Sequence, residues 1–276
     1  MKKQKINIVV GPTASGKSSL AFQMAKELSG QIVNADAFQV YSGLRVLTAR
    51  PTIQDENEVP HHLYGYADND FQENVQGWLN KACEILPSLS NPIVVGGTGM
   101  YINALINGIN EMPDIPDEIR QSVRQMDIKE VRSLLKGQSV FPDPQRQRRA
   151  LEVFLATGQT IEYFQKQPPK KMIDADFYVI LVQPPRQIVY DKIAKRLDVM
   201  MEQGVIKEVE NLLKSNACGG VLKAIGVKEI AQFLNKELTL EQTKEQILLS
   251  TRHYAKRQMT WFRHQITPDL LMSGKA

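Results

Sequence analysis

Residues 11–18, GPTASGKS, combine residue types and a spacing that suit the binding of phosphate groups. Gly11, Gly16, Lys17 and Ser18 fit the pattern G-x-x-x-x-G-K-[ST]. Glycines let a loop turn its NH groups around an anion, the amino end of the following helix adds partial positive charge, and the lysine adds a full charge. The serine hydroxyl can hold a magnesium ion that bridges two phosphate groups. The segment therefore predicts a bound diphosphate or triphosphate.

A carboxylate that could work beside this loop follows the next strand-like run. A nucleotide hydrolase would normally have a strand that ends in an acidic residue, which positions metal and water. The later runs PIVVGGTG and YVILVQPP end without such an acid, so hydrolysis of a nucleotide is disfavoured. Asp36, after QIVNA, is the carboxylate at a strand end. The residues alone leave open whether it is a magnesium ligand or a general base toward an acceptor.

These residues need a scaffold that brings several strand ends together. Short β-branched runs alternate with helical patterns, which is typical of a parallel sheet in an α/β fold. Ligands bind at the carboxyl ends of such strands, where residues 11–18, Asp36 and the glycine-rich turn 96–99 would meet. We predict strands at 6–10, 31–34, 92–95 and 177–182, and helices at 16–28, 74–86, 99–106, 185–201, 206–214 and 240–263.

The middle of the chain has a different character. Between MPDIPDEI and KQPPKK there is no strand pattern, and helical periodicity runs through 117–135 and 144–156. We expect a P-loop catalytic core at 1–115 and 173–265, a small helical insertion domain at 116–172, and a frayed tail at 266–276. Residues 117–171 hold 11 Lys and Arg against seven Asp and Glu. This balance suits a polyanionic partner, with a solvated helix face as the alternative.

The helical stretch 250–265 is also basic. It contains Arg252, Lys256, Arg257 and Arg263 and no acidic residue. Contact with phosphate or RNA backbone suits these bases, whereas Trp261 in the same stretch suits core packing.

Composition limits the class of protein. The 276 residues are 42% hydrophobic and 23% charged, which suits one large domain or a domain that carries a smaller one. The apolar runs are strand-sized, well below the roughly 18 residues of a membrane span. We expect a soluble cytoplasmic monomer with no membrane contact. Cys83 and Cys218 show no paired spacing, so we expect ordinary thiols.

Seven stretches, taken in order, resemble one family, the tRNA dimethylallyltransferases, also called tRNA isopentenyltransferases. They are GPTASGKS, NADAFQVYSGL, TARPT, VPHHL, PIVVGGTGMYINALINGI, DPQRQRRALEVFLATGQT and RHYAKRQMTWFR, and the resemblance runs from about Ile6 to Arg263. The resemblance implies a P-loop NTPase-like fold and transfer of a dimethylallyl group from dimethylallyl diphosphate to the exocyclic amine of the adenosine 3′ of the anticodon. The nucleotide-binding type of loop would then hold the departing diphosphate, and no ATP would be consumed.

The resemblance also implies roles for individual residues. Asp36 becomes the base that accepts the amine proton, while Lys17, Ser18 with magnesium, and Arg196 stabilise charge on the diphosphate. The adenosine must leave the stacked anticodon loop, so the protein must grip an opened anticodon stem-loop. The diphosphate-binding set is Gly11, Pro12, Thr13, Ala14, Ser15, Gly16, Lys17 and Ser18. The tRNA-binding set is Asp36, Ala37, Phe38, Gln39, Thr98, Arg120, Gln145, Arg146, Gln147, Arg148, Arg149, Lys223, Gly226 and Lys228.

The chain departs from the family pattern on the tRNA side. Ala37 and Phe38 stand where Ser and Arg are usual, Arg45 and Leu47 where Asp and Gly are usual, and Val227 where Tyr is usual. Three other functions compete with tRNA prenylation, and these departures favour the last of them. They are a small-molecule or nucleotide kinase with Asp36 on the metal, prenylation of free adenine nucleotides, and a non-catalytic tRNA-binding relative.

Overall fold

A computed structural model describes residues 3–138, 141–215 and 217–273, and its strands form one parallel sheet. The strand order across the sheet is β3-β2-β4-β1-β5-β6. In chain order the strands are β1 Gln4–Val10, β2 Gln31–Asn34, β3 His61–His62, β4 Pro92–Gly96, β5 Ala175–Val182 and β6 Leu270–Met272. The four strands predicted from the sequence are confirmed as β1, β2, β4 and β5, and the α/β class with them.

The central strands have the composition that is typical of a parallel sheet. In β1 and β4, Ile8 lies opposite Val94 and Val9 opposite Val95, and all four side chains are buried. Strands that are covered on both faces read as continuous β-branched runs, as these do. Because β2, β4 and β1 are parallel neighbours, the segments that follow them leave the same edge of the sheet.

Helices cover the sheet and form the middle of the chain. None of those in the described ranges has the length and apolar character of a membrane span. Short 3-10 turns lie at Leu86–Ser88 and Val221–Lys223. The α-helices are α1 Lys17–Leu28, α2 Ile53–Glu58, α3 Val75–Ile85, α4 Gly99–Asn107, α5 Asp117–Gln125, α6 Ile128–Leu134, α7 Pro144–Thr157, α8 Ile161–Gln165, α9 Arg186–Glu202, α10 Val205–Lys214, α11 Val227–Leu234 and α12 Leu240–Gln265.

The chain divides into two compact units. Unit 1 comprises Met1–Ile106 and Met172–Ala276, and unit 2 comprises Asn107–Lys171, so unit 2 begins earlier than the predicted insertion at 116. Unit 2 contains α5 to α8 around its own apolar core, which includes Val123, Val131 and Leu151.

The helical periodicity predicted through 117–135 is divided in the structure between two helices, α5 and α6. Met126 takes an extended conformation (φ −66°, ψ 143°) and ends α5. Asp127 then caps α6, since its side chain accepts a hydrogen bond from the Lys129 NH over 2.8 Å. Aspartate favours this capping role over a position inside a helix.

The prediction of a frayed tail at 266–276 is wrong for the residues that form β6. Ile180 lies opposite Leu270 and Val182 opposite Met272 in a parallel ladder. The Asp269 NH donates to the Val179 carbonyl over 2.9 Å, and the Asp269 carboxylate accepts from the Val179 NH over 2.7 Å. A strand this short at the edge of a sheet is held by pairing with its neighbour. Residues 274–276 of the predicted tail lie outside the described ranges.

Candidate active site at the carboxyl ends of the strands

The phosphate loop, residues 11–18, joins β1 to α1 and has the backbone of an anion-binding turn. Ala14 (φ 61°) and Gly16 (φ 97°) are left-handed, and the Ser15 NH donates to the Pro12 carbonyl over 3.2 Å. Gly16, the residue before α1, has no side chain to cap the helix, and the Lys17 NH donates to the Ser15 hydroxyl over 3.4 Å. Successive turns of this kind direct NH groups toward a common point, and the helix end adds positive potential. The loop is therefore built to receive an anion.

Three cations, Lys17, Lys192 and Arg196, and one carboxylate line the space above this loop. Lys17, Arg196 and Asp36 all border the same pocket as Ala14 and Ser18. Burial lowers the pKa of Lys17 to about 8, with Arg196 acting in the same direction and Asp36 opposing it. Burial also lowers the pKa of Arg196, again opposed by Asp36. Cations that have lost hydration in this way gain most from a bound anion.

Arg196 reaches the phosphate loop from α9. Its guanidinium donates to the Thr13 hydroxyl over 2.8 Å. Lys17 donates to the Pro12 carbonyl over 3.3 Å, so both cations are tied to the loop. The structure thus brings the predicted diphosphate-binding residues and Arg196 together, although about 180 residues separate them in sequence.

Asp36 is held where β2 ends. Its NH donates to the buried Asn34 side chain over 2.8 Å, and its Oδ1 accepts from the Phe38 NH over 3.0 Å. The Thr98 hydroxyl, in the glycine-rich turn after β4, accepts from the Ala37 NH over 2.9 Å. The carboxylate therefore has a fixed place at the edge where β1, β2 and β4 end.

Gln258 on α12 lies within the motif RHYAKRQMTWFR, and the sequence alone predicts no role for it in the site. Its Oε1 accepts from the Thr13 NH over 2.8 Å, and its Nε2 donates to the Gly97 carbonyl over 2.8 Å. The amide is buried and joins the phosphate loop to the glycine-rich turn. Tyr254, one turn earlier, has its pKa raised by burial and by the nearby Asp36 charge.

An apolar pocket adjoins the charged space. Its polar end is formed by Thr13, Asp36, Arg196 and Tyr254. Phe38 lines it, although the sequence analysis predicted tRNA contact for this residue. The apolar members are Phe38, Leu47, Ile193, Leu197, Met200, Ala224, Ile225, Ile247 and Leu248. Two of the departures from the family pattern, Phe38 and Leu47, thus place hydrocarbon beside Asp36 and Arg196.

The other predicted tRNA contacts of unit 1 differ in their surroundings. Gln39 donates to the carbonyls of Thr48 and Ala49 over 2.8 and 3.2 Å. Gly226 is left-handed (φ 104°), and a Cβ added to it would lie 2.6 Å from the Leu47 Cδ1, so glycine is required there. Lys223 and Lys228, on either side of it in sequence, are exposed.

Helix α12 presents an open basic and aromatic surface. It is lined by Lys256, Arg257, Trp261 and His264, among others. Arg252, in contrast, packs over the Tyr190 ring at 5.3 Å from its centroid. The basic residues of this helix therefore divide into exposed ones and one that packs internally.

In unit 2, some of the residues 145–149, which were predicted to bind tRNA, are exposed, and others bond within the unit. Gln145 and Arg146 are exposed in the first turn of α7. Arg149 pairs with Glu152 at 3.2 Å. The Arg148 guanidinium donates to the Met126 carbonyl over 3.0 Å, at the end of α5. Arg120, exposed on α5, donates to the Ile115 carbonyl over 3.1 Å.

Gln147 contradicts its predicted place on the tRNA surface. It is buried, its Oε1 accepts from Arg132 over 3.0 Å, and its Nε2 donates to the Phe141 carbonyl. A buried amide needs such partners because an unpaired one is costly. Its side chain therefore stabilises the interior of unit 2.

The chain is similar to known proteins over most of its length. A model of the family described as IPP transferase matches residues 39–265, and one described as isopentenyl transferase matches residues 4–64. A protein of Allorhizobium ampelinum named tRNA dimethylallyltransferase is 41% identical over 277 residues, covering 94% of this chain and 91% of its own. One of Bartonella henselae with the same name is 40% identical over 289 residues, covering 99% of each.

Solved structures are similar as well. The full-length tRNA isopentenylpyrophosphate transferase of Bacillus halodurans has a TM-score of 0.72 at 29% identity, covering 99% of this chain and 90% of its own. A eukaryotic dimethylallyltransferase, described as acting on tRNA, has a TM-score of 0.80 at 25% identity, covering 94% of this chain and 70% of its own.

Proposed function

The chain belongs to the IPP transferase family, and we propose that its phosphate loop holds the diphosphate of dimethylallyl diphosphate while Asp36 faces the acceptor. The protein is a tRNA dimethylallyltransferase. The donor and the modified nucleoside are parts of the proposal. The observation that carries it is the convergence of Lys17, Arg196 and Asp36 beside an apolar pocket.

The charged space suits the leaving group. An allylic diphosphate carries its charge at one end and a short hydrocarbon at the other. The phosphate loop, Lys17 and Arg196 match the first, and the pocket lined by Phe38 and Leu47 matches the second. Donors fixed in advance lower the barrier because negative charge grows on the diphosphate as the bond to carbon breaks.

The transfer itself needs one bond made and one broken. The C1–O bond of the donor breaks, and its electron pair passes to the diphosphate oxygen. The adenine amine forms the new N–C1 bond, and its proton passes to the Asp36 carboxylate. The hydrogen bond from the Phe38 NH fixes that carboxylate at Oδ1. Holding donor and acceptor in line supplies part of the acceleration.

Magnesium fits the residues that are present. Ser18 is an exposed hydroxyl at the start of α1, and the described residues contain no group of three or more His, Cys, Asp or Glu that would cage a metal ion. Magnesium prefers one or two protein oxygens together with phosphate oxygens and water. Ser18 would hold the ion, which when bound would neutralise charge on the diphosphate.

The acceptor in this proposal is the adenosine 3′ of the anticodon, turned out of its stack. Extruded bases are bound between aromatic and apolar side chains, and the backbone is bound by cations. Lys256, Arg257 and Trp261 on α12 offer such groups in unit 1. Unit 2 by itself offers the exposed Gln145 and Arg146 on α7, which suit an RNA backbone. A tRNA substrate also favours a cytoplasmic location.

The proposal is tested by incubating the protein with an anticodon stem-loop RNA, dimethylallyl diphosphate and magnesium, without ATP. We expect the nucleoside 3′ of the anticodon to gain one five-carbon unit by mass analysis of the digested RNA. A stem-loop with guanosine at that position is the matched control and should gain nothing. Alkylation of free adenine nucleotides alone, or phosphorylation of a small acceptor with added ATP, would refute the proposal.

A further inference from the structure

A distant carboxylate binds a short turn in the segment between β2 and α2. The Arg45 NH donates to Glu208 Oε1 over 2.7 Å, the Val46 NH to the same oxygen over 2.8 Å, and the Leu47 NH to Oε2 over 2.8 Å. Glu208 lies on α10, more than 160 residues away in sequence. Three consecutive NH groups thus form a nest whose anion is one of the protein's own side chains.

The turn needs this partner. The Ala49 NH donates to the Val46 carbonyl and the Arg50 NH to the Arg45 carbonyl, each over 3.0 Å. Residues 45–50 therefore resemble one helical turn, whose first NH groups have no partners within the turn. Glu208 supplies them through charge-assisted hydrogen bonds.

The arginine side chains of this segment have a different partner. Arg45 pairs with Glu56 at 3.1 Å, and Arg50 lies 3.8 Å from the same carboxylate. Glu208 acts on the backbone of the turn, while Glu56 takes the side-chain charges. The two carboxylates therefore have different roles in this segment, and each can be changed by mutation without removing the other.

The turn carries parts of the active site. Leu47 and Thr48 line the apolar pocket together with Asp36, and Thr48 also borders the phosphate space. Gln39, three residues after Asp36, donates to the Thr48 and Ala49 carbonyls. A shift of the turn would move the pocket wall and the residues that follow Asp36.

We propose that Glu208 is a positioning residue of the transfer reaction. It does not touch the substrate; it fixes turn 45–47 so that Leu47 and Thr48 form the wall against which the reacting groups are aligned. This inference rests on the proposed function for its activity readout, and on the three hydrogen bonds for its structural one.

The test compares Glu208→Gln with Glu210→Gln. The first keeps the size of the side chain but removes the charge and places an NH2 where an oxygen accepts. The second changes the same helix two residues on, where Glu210 pairs with Lys207 and Lys214. We expect kcat to fall about 10- to 100-fold in the first variant, because displacement by about 1 Å has effects of that size. The second variant should match the wild type.

Amide hydrogen exchange separates positioning from general destabilisation. Exchange should quicken in peptides that cover residues 45–50 and stay unchanged in β1 and β4, while affinity for inorganic diphosphate stays within about twofold because the phosphate loop is intact. Glu208→Asp keeps the charge with a shorter reach, so it should fall between glutamine and wild type.

Several results would overturn the positioning role. One is normal kcat in Glu208→Gln, with or without faster exchange of the turn. Another is a loss of kcat accompanied by faster exchange across the whole sheet. An inactive wild type would instead refute the proposed function, since the exchange data would still report the contact with the turn.

Discussion

The phosphate loop and segment 36–51 border the same space but are held in different ways. The phosphate loop contains its own turns, with Ser15 and Lys17 both bonded to the Pro12 carbonyl. Segment 36–51 depends on partners from elsewhere, including Thr98 and Glu208. The phosphate loop is therefore the locally encoded half of the site, because its turns close within residues 12–17, although Thr13 also bonds to Gln258 and Arg196. Segment 36–51 is the half that is assembled by tertiary contacts. Substitutions in the first should affect chemistry directly, and those in the second should affect alignment and selectivity.

The largest expected effect belongs to the locally encoded half. Lys17→Ala should lower kcat/KM for prenyl transfer by about 10³- to 10⁵-fold, comparable to removal of a cationic residue from phosphate chemistry. Affinity for tRNA, measured by filter binding, should change little because Lys17 lies on the diphosphate side. Equal losses of transfer and tRNA affinity would contradict the division of the site.

Asp36→Asn should lower kcat by about 10²- to 10⁴-fold if this residue is the base. The amide keeps an oxygen for the Phe38 NH, so the fold should persist. The measurement is single-turnover transfer across a range of magnesium concentrations. A loss that high magnesium restores would favour the metal-ligand role for Asp36.

The pH profile of kcat/KM should report the buried lysine. Because the pKa of Lys17 is about 8 in the free protein, its ammonium is charged below that pH and neutral above it. The rate should therefore fall about tenfold per pH unit above pH 8. Initial rates with limiting donor provide the measurement, and a flat profile up to pH 10 would show that the charge on Lys17 is not needed.

Phe38→Ala tests the assembled half. Loss of a large apolar side chain from the pocket should raise KM for the donor about tenfold, with a smaller change in kcat, because burial of the hydrocarbon is weakened. Leu249→Ala on α12, an exposed neighbour of the pocket residue Leu248, is the control and should have no effect. An unchanged KM in Phe38→Ala would remove the pocket from donor binding.

The smallest expected effect lies in unit 2. Arg146→Ala should weaken tRNA binding a few-fold and reduce its salt slope by about 1. Gln147→Ala should instead lower the free energy of unfolding by about 1–3 kcal/mol through loss of buried hydrogen bonds, with no change in that slope. Binding isotherms at several salt concentrations and urea unfolding distinguish the two. A reduced salt slope in Gln147→Ala would show that Gln147 contacts the RNA, as the sequence predicted.

The same contrast explains what the sequence could predict. The strands β1, β2, β4 and β5 and the phosphate loop are recognised from local patterns of β-branched residues and glycines. The edge strands β3 and β6 are too short for a pattern and depend on pairing with a neighbour. Asp127 caps α6 and separates it from α5. This capping signal is local, but the helical periodicity of the surrounding residues hides it.

The missed site residues share one cause. Gln258 and Glu208 bond to main-chain groups about 160 residues or more away, and a main-chain partner leaves no mark on the sequence. Gln147 was misassigned because a glutamine between arginines looks exposed by composition, whereas its place on α7 turns it inward. Residue type thus predicts the chemistry of a side chain well, but it predicts poorly whether that side chain points into the core or toward solvent.

A product balance tests most directly whether the phosphate loop holds the diphosphate that leaves during prenyl transfer to RNA. Wild-type protein, stem-loop RNA, dimethylallyl diphosphate and magnesium are incubated with and without ATP, and prenylated RNA, diphosphate and ADP are measured together. If the phosphate loop binds the departing diphosphate, one diphosphate is released for each prenyl group on RNA, at the same rate with or without ATP. Formation of ADP in step with a phosphorylated acceptor, with no prenyl group on RNA, would contradict it.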